Sequence, residues 1–188
     1  MKRKYPGLLA AVLMLWGVAG WADSYTDTAA LFRNAGQSAS FFHNSYGYAV
    51  FPTVGKGGFV VGAAHGSGHV YRHGAYVGDT TVNQLSVGFQ AGGQAYSQIV
   101  FFEDKAAFDA FTRGDFEFGA DVNAVAITAA AGASAGTAGA SAGASGGEKD
   151  ARTAGRYYKG FAIFTIVKGG AMYQAAVAGQ KFSYTPKA

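Results

Sequence analysis

From Tyr48 to Asp104 the chain is written in short apolar or alternating runs, "YAVF", "GFVVGAA", "HVYRHGAYV", "NQLSVGFQ" and "QAYSQIVFF", each set off by glycine. This pattern constrains the fold more than any other feature. Alternation with a period of two puts successive side chains on opposite faces of a strand, and glycines at this density exclude a long helix. Turn chemistry at Gly55 to Gly58, Gly66 to Gly68, Gly74 and Gly92-Gly93 predicts an antiparallel meander. Glycine within a strand also marks a bend, a bulge or a close backbone approach, so such a sheet should curl, and closing it removes its exposed edges. The expected architecture is therefore mainly β: a strongly curled antiparallel sheet or a barrel-like domain.

The flanking segments add elements to that sheet. In residues 26 to 46, Phe32, Ala35, Ala39, Phe42 and Tyr46 recur at spacings of three and four, which predicts one N-terminal helix capped by Thr26 or Thr28 and ended by Gly47. "DKAAFDAF" after Glu103 predicts a short helix over 104 to 112, with Phe108 and Phe111 turned inward. A strand pair is expected between Phe116 and Thr128. Residues 129 to 147 consist only of Ala, Gly, Ser and one Thr, too little apolar surface to fix a conformation. They read as a loop over 129 to 149 inside one domain, because the 157 to 184 segment that follows is too short to fold alone. That last segment predicts two or three strands turning at Lys168-Gly169-Gly170 and at Gly179, with partners in the earlier meander.

Export is expected from the N-terminus. Lys2, Arg3 and Lys4 precede an apolar stretch from Leu8 to Trp21, and Gly20-Trp21-Ala22 offers small residues where a signal peptidase cuts. The stretch is shorter than the roughly 20 residues of a spanning helix. Residues 1 to 22 thus read as a signal peptide and 23 to 188 as a single exported domain, periplasmic and without a lipoprotein cysteine. Removing Lys2, Arg3 and Lys4 leaves twelve bases against eleven acids, a net charge of +1 in place of +4. Bulk attraction to nucleic acid then has no basis, and no nucleic-acid partner is expected. With no cysteine, neither disulfides nor thiol chemistry enter.

Three patterns raise the question of chemistry. Gly132 to Gly136 and Gly139 to Gly143 both match the G-x-S-x-G elbow of hydrolases, but they repeat within a three-letter composition and no apolar helix follows them. His65, His69 and His73 are spaced by four; on a hairpin they would gather a metal only if His65 folded back across a turn at Gly66 to Gly68. Gly55, Gly57 and Gly58 enclose Lys56, a turn able to offer backbone N–H groups and an ammonium to phosphate, though without the spacing of a nucleotide-binding loop.

Four ordered blocks then carry a family resemblance: "YGYAVFPTVGKGGFVVGAAHGSGHVY", "VGFQAGGQAYSQIVFFED", "FEFGADVNAVAIT" before the alanine-rich loop, and "YYKGFAIFTIVKGGAMYQAAVAGQKFSY". Together they resemble the SYLF domain family over about Thr28 to Tyr184, and the alanine-rich loop without attached modules resembles its bacterial exported branch. The resemblance implies a non-enzymatic lipid-binding domain without a cofactor. Its ligands would be anionic phospholipids or a membrane surface, phosphoinositides in eukaryotic members. Actin, bound by some fungal members, is not expected for an exported bacterial chain. Lys56, Lys159 and Lys168 match the family blocks, and with Gly57, Gly58 and Gly169 they form the expected lipid-binding set. The alternatives that stay open are an envelope scaffold without a lipid ligand and a metal-binding protein using His65, His69 and His73.

Overall fold

The computed structural model of the protein describes residues 19–58, 61–87, 92–119, 122, 124–127, 156–169, 177 and 179–188. The expected signal peptide up to residue 18 and the Ala/Gly/Ser loop over 129 to 149 lie outside them. Among these described residues eight strands form one sheet: β1 (Gly47–Gly58), β2 (Val61–Arg72), β3 (Ala75–Val87), β4 (Gly92–Phe102), β5 (Phe116–Glu117), β6 (Val125–Ile127), β7 (Phe161–Gly169) and β8 (Lys181–Pro186), in the order β5-β8-β3-β2-β1-β4-β7-β6. All neighbours are antiparallel except β6 and β7, which run parallel.

The connectivity itself requires the sheet to curl. β5 and β6 occupy opposite edges, yet only residues 118 to 124 join them. A flat sheet would place those edges about 34 Å apart at the usual strand spacing, whereas a fully extended linker of that length reaches about 29 Å. The result is the curled, half-barrel sheet expected of the sequence. As also expected, β7 and β8 pair with the earlier meander, on β4 and β3.

The glycines act differently from the expectation. Gly55, Gly57, Gly66 and Gly68 lie within strands and not at turns, so the meander has four long strands in place of many short ones. At Gly66 and Gly68 close approach is the reason: a Cβ on Gly68 would sit 2.6 Å from the Phe51 ring, and one on Gly66 would sit 2.8 Å from the Thr53 carbonyl oxygen, whereas one on Gly55 or Gly57 would meet nothing within 4 Å. Between Val50 and Thr53 the register of β1 shifts, and this bulge brings Phe51 across to β2. Of the meander glycines expected at turns, Gly74 does make one among the described residues, at a φ of 81° with His73 at 49° beside it. The strand pair expected over 116 to 128 is also corrected, because β5 and β6 pair with β8 and β7 and not with each other.

Both faces of the lower half of the sheet are covered. The single helix expected over 26 to 46 is two: α1 (Ala19–Asn34) and α2 (Phe41–Asn44). The buried Ser38 hydroxyl donates to the Phe32 carbonyl, satisfying one of the acceptors a helix end leaves open and holding the break. Tyr25, Ala29, Phe32 and Phe41 pack on the outer-face residues Tyr48, Val50, Ile99, Phe101 and Phe164. On the concave face, Ala49, Val100 and Phe102 meet α3 (Lys105–Phe111), whose Asp104 cap accepts from the Ala107 N–H at 2.9 Å. Among the described residues no helix is long and apolar enough to cross a membrane.

Candidate functional site

Alternation along β1 turns Phe51, Val54 and Lys56 inward, and register carries each into a row across the sheet. Beginning from the end of β1, the first row is Ser86, Gly62, Gly58 and Gly92. The second holds Gln84, Ala64, Lys56 and Gln94. Phe182, Val82, Gly66, Val54 and Tyr96 form the third, and Thr80, Gly68, Phe51, Gln98 and Thr165 the fourth.

Lys56 is 7% exposed and, among the described residues, forms no hydrogen bond or ion pair. Lysine is seldom buried without a partner, because stripping water from an ammonium costs several kcal/mol, on the order of 5, unless a counter-charge replaces it. Burial accordingly holds its pKa below the usual lysine value. The described carboxylates are elsewhere: Asp79 is exposed, Glu117 pairs with Lys181 at 3.5 Å and Asp109 with Lys105. Among the described residues, this end of the concave face holds a cation with no anion paired to it.

A polar network adjoins it. Gln98 Nε2 donates to Gln180 Oε1 at 2.8 Å, and Gln180 Nε2 donates to Gln98 Oε1 and to the Tyr96 hydroxyl, each at 3.1 Å. All three side chains are fully buried. Gln180 is fixed by its own backbone, since Gly179 turns at a φ of 74° and the Gln180 carbonyl accepts from the Phe118 N–H at 3.0 Å. Burial pushes the Tyr96 phenol up to about 12, and the bond from Gln180 opposes this. Tyr96 therefore stays protonated, and because its oxygen already accepts from Gln180, its own proton is left for an acceptor. Thr165 Oγ1, also fully buried, has no hydrogen-bond partner among the described residues.

The expected lipid-binding residues divide into three places. Lys56 faces inward; Lys168 is exposed on the outer face at the same end of the sheet, where its Nζ donates to Thr53 Oγ1 at 3.2 Å. Gly57 and Gly58 lie in a central strand between β2 and β4, and Gly169 pairs with Ala95, so these glycines are ladder residues and not a free turn. Lys159 stands before β7, with its Nζ 5.3 Å from the Tyr158 ring centre. It is separated from Lys168 by the whole strand, about 27 Å.

The three histidines do not converge either. His65 Nδ1 bonds Asn83 Oδ1 at 2.8 Å on the outer face, while His69 stacks on Tyr25 at 3.5 Å and pairs with Asp79 at 3.3 Å. His73 lies in the β2–β3 turn against Tyr46. Gly66 to Gly68 continue β2 without a turn, so His65 is not folded back, and no metal-binding cluster occurs among the described residues.

Tyr96, Gln98, Gln180 and Gln84 were outside the expected set. Gln98 had a readable signal: in the alternation Tyr96, Gln98, Val100, Phe102 it is a polar residue at an inward position of a strand. Gln180 had none, because its place is set by partners far away in sequence, Gln98, Tyr96 and Phe118.

A model of the family described as "Ysc84: Las17-binding protein actin regulator" matches residues 83–185. The match begins within β3 and includes Gln84, Tyr96, Gln98 and Gln180 but not Lys56. Beta cell expansion factor A of Aeromonas veronii is 29% identical over 166 residues, which is 85% of this chain and 54% of that protein. The chain thus spans about half the length of that relative. With the family model covering more than half of the sequence and the curled sheet in place, the chain belongs to the SYLF (Ysc84) family.

Proposed function

We propose that this chain is an exported, non-enzymatic module of the cell envelope that binds acidic phospholipid headgroups. The observation that carries the reading is Lys56, a cation buried on the concave face that forms no ion pair among the described residues. A bound phosphate or carboxylate supplies the missing counter-charge, and in a low-dielectric interior that pairing is stronger than at an exposed site. Membership of a lipid-binding family supports the same reading. The actin regulation named in the family description belongs to other settings, since an exported protein meets envelope lipid before any cytoskeleton.

The test is sedimentation of the full chain, purified from the periplasm, with two sets of vesicles. Phosphatidylcholine vesicles carrying phosphatidylglycerol or phosphatidic acid should retain it, and pure phosphatidylcholine should not. Lys56→Met should weaken the retained fraction at least tenfold, equivalent to about 1.4 kcal/mol. Binding to neither set would overturn the lipid reading in favour of an envelope scaffold. Recovery of the protein only from the cytoplasm, with residues 1 to 22 attached, would overturn export.

A further inference from the structure

The outer face carries a cluster of rings and titratable groups that the lipid-binding reading leaves unused. His69 of β2 lies face to face with Tyr25 of α1, at 3.5 Å between ring centres and 8° between planes. From β3, Tyr76 approaches the imidazole at 4.7 Å, and Tyr71 of β2 stands at 6.4 Å. Asp79, opposite His69 in the β2–β3 register, accepts from the Tyr76 hydroxyl at 2.8 Å and lies 3.3 Å from His69 Nε2. Lys187 places its Nζ 5.4 Å from the Tyr76 ring centre, and the partner of His69 on β1 is the apolar Val50. The stack stands at one end of the helix seam. Tyr25, Ala29 and Phe32 follow one another at spacings of four and three down the buried face of α1, and beyond them Ser38 bonds back to the Phe32 carbonyl.

We infer that His69 is an acid-sensitive latch for α1: as neutral imidazole it holds the Tyr25 end of the helix on the sheet, and as imidazolium it lets that end lift. Stacking takes one face of the ring from water, and a charged ring loses hydration there that a neutral one does not need. Asp79 opposes this, but its carboxylate is 62% exposed and already accepts from Tyr76, so solvent screens its pull. Burial accordingly holds the His69 pKa below the usual 6.5, with Asp79 the smaller, opposing influence. Lifting Tyr25 returns the ring to water, so the lifted state takes up the proton first. The sign is then fixed. Above 6.5 the ring is neutral in both states and docking is at full strength; docking weakens as pH falls from 6.5 to the lowered value, and below that the loss is complete and constant. Tyr25, Tyr71 and Tyr76 are all held above 10 and stay neutral through this window. The surface that the lifted helix uncovers is apolar, Tyr48, Val50, Ile99, Phe101 and Phe164, while Ser38 and α2 keep the other end in place.

The experiment is amide hydrogen exchange of the full chain, read by mass spectrometry at about pH 8 and about pH 5, the range over which histidine changes charge, and corrected for the intrinsic pH dependence of exchange. Peptides from residues 25 to 34 should lose protection severalfold at the lower pH, and peptides from residues 105 to 111 of α3 should not change. His69→Phe keeps a flat ring against Tyr25 and cannot titrate, so its 25-to-34 peptides should be protected equally at both values. Proton NMR of the imidazole gives an independent reading that survives a failure of His69→Phe to fold: His69 should titrate below 6.5 in the wild type and at a higher pH in Tyr25→Ala, which removes the stacked ring. Protection of α1 that does not change with pH overturns the latch. So does protection that rises in acid, which would mean that the pull of Asp79 and of the Tyr25 ring face on the imidazolium outweighs its lost hydration. An acid loss that persists in His69→Phe, or a His69 titration that Tyr25→Ala leaves in place, overturns it equally.

Discussion

The lower and upper halves of the concave face are made by the same strands under the same alternation, yet they differ in almost every physical respect. The lower half collects Ala49, Val100, Phe102 and Phe161 against Phe108 and Phe111 of α3, with α1 and α2 sealing the opposite face. The upper half collects Lys56, Gln84 and Tyr96, with Gln98 and Gln180 at its floor. Alternation decides which side chains face inward, and only residue identity decides whether that interior is a core or a site. The comparison also explains how the upper half tolerates a buried cation that no described carboxylate compensates. Folded domains are stable by only about 5–15 kcal/mol, so the cost at Lys56 must be met by packing elsewhere, and the aromatic half supplies it.

The largest effect should come from breaking the aromatic half. Phe102 contacts Phe108, Phe111 and Phe161, so Phe102→Ala should cost about 3–5 kcal/mol in denaturant unfolding. The fraction that remains folded should still prefer acidic vesicles. Loss of lipid preference in folded Phe102→Ala protein would show that the two halves are not separable.

Next in size is a pair of glycine substitutions. Gly68→Ala drives a methyl to within 2.6 Å of the Phe51 ring and 2.8 Å of the Val50 carbonyl oxygen, and this overpacking should cost about 1–3 kcal/mol. Gly57→Ala meets nothing within 4 Å and should be neutral or stabilising by up to about 1 kcal/mol. Similar costs for the two, read from urea midpoints, would contradict the division of the glycines into close-approach and open positions.

These substitutions also mark where the sequence was legible. Period-two alternation from Tyr48 onward was enough for a curled β sheet, and Asp104 three residues before Ala107 was enough for a capped helix, because both signals are local. The glycines misled as turns because a close approach is a property of two strands: nothing near Gly68 in the sequence states that a bulge will bring Phe51 against it. The N-terminal helix was overextended for a similar reason, since its end is held by Ser38 reaching back to Phe32. At the site, Lys56 was readable as an unusual lysine among glycines. Its inward direction was not, because residues 55 to 58 read as a turn when they are strand. Lys159 and Lys168 joined the set through resemblance alone, and sequence proximity to glycine gives no information about which end or face of a sheet a residue occupies.

The smallest effect, and the sharpest test of the upper half, is the stability of Lys56→Met in the absence of lipid. Replacing an uncompensated buried ammonium by an apolar side chain of similar length should raise stability near neutral pH, on the order of 1 kcal/mol. The pH dependence identifies the cause. Burial lowers the folded-state pKa of Lys56 below 10.5, so between that lowered value and 10.5 the unfolded chain binds more protons than the folded one. Stability of the wild type therefore rises with pH through that window and is fully recovered above 10.5; below the folded-state value the cost of the charge is paid in full and constant. Lys56→Met lacks this titration, while the tyrosines that ionise at alkaline pH are shared by both proteins. The gap between the two urea midpoints should thus be widest at neutral pH and close as pH approaches 10.5. A phosphatidic acid ligand should reverse its sign at neutral pH, because binding to the folded state stabilises the wild type alone. A gap that stays constant with pH would mean that the ammonium is solvated or paired, and the upper half would then be an ordinary continuation of the core.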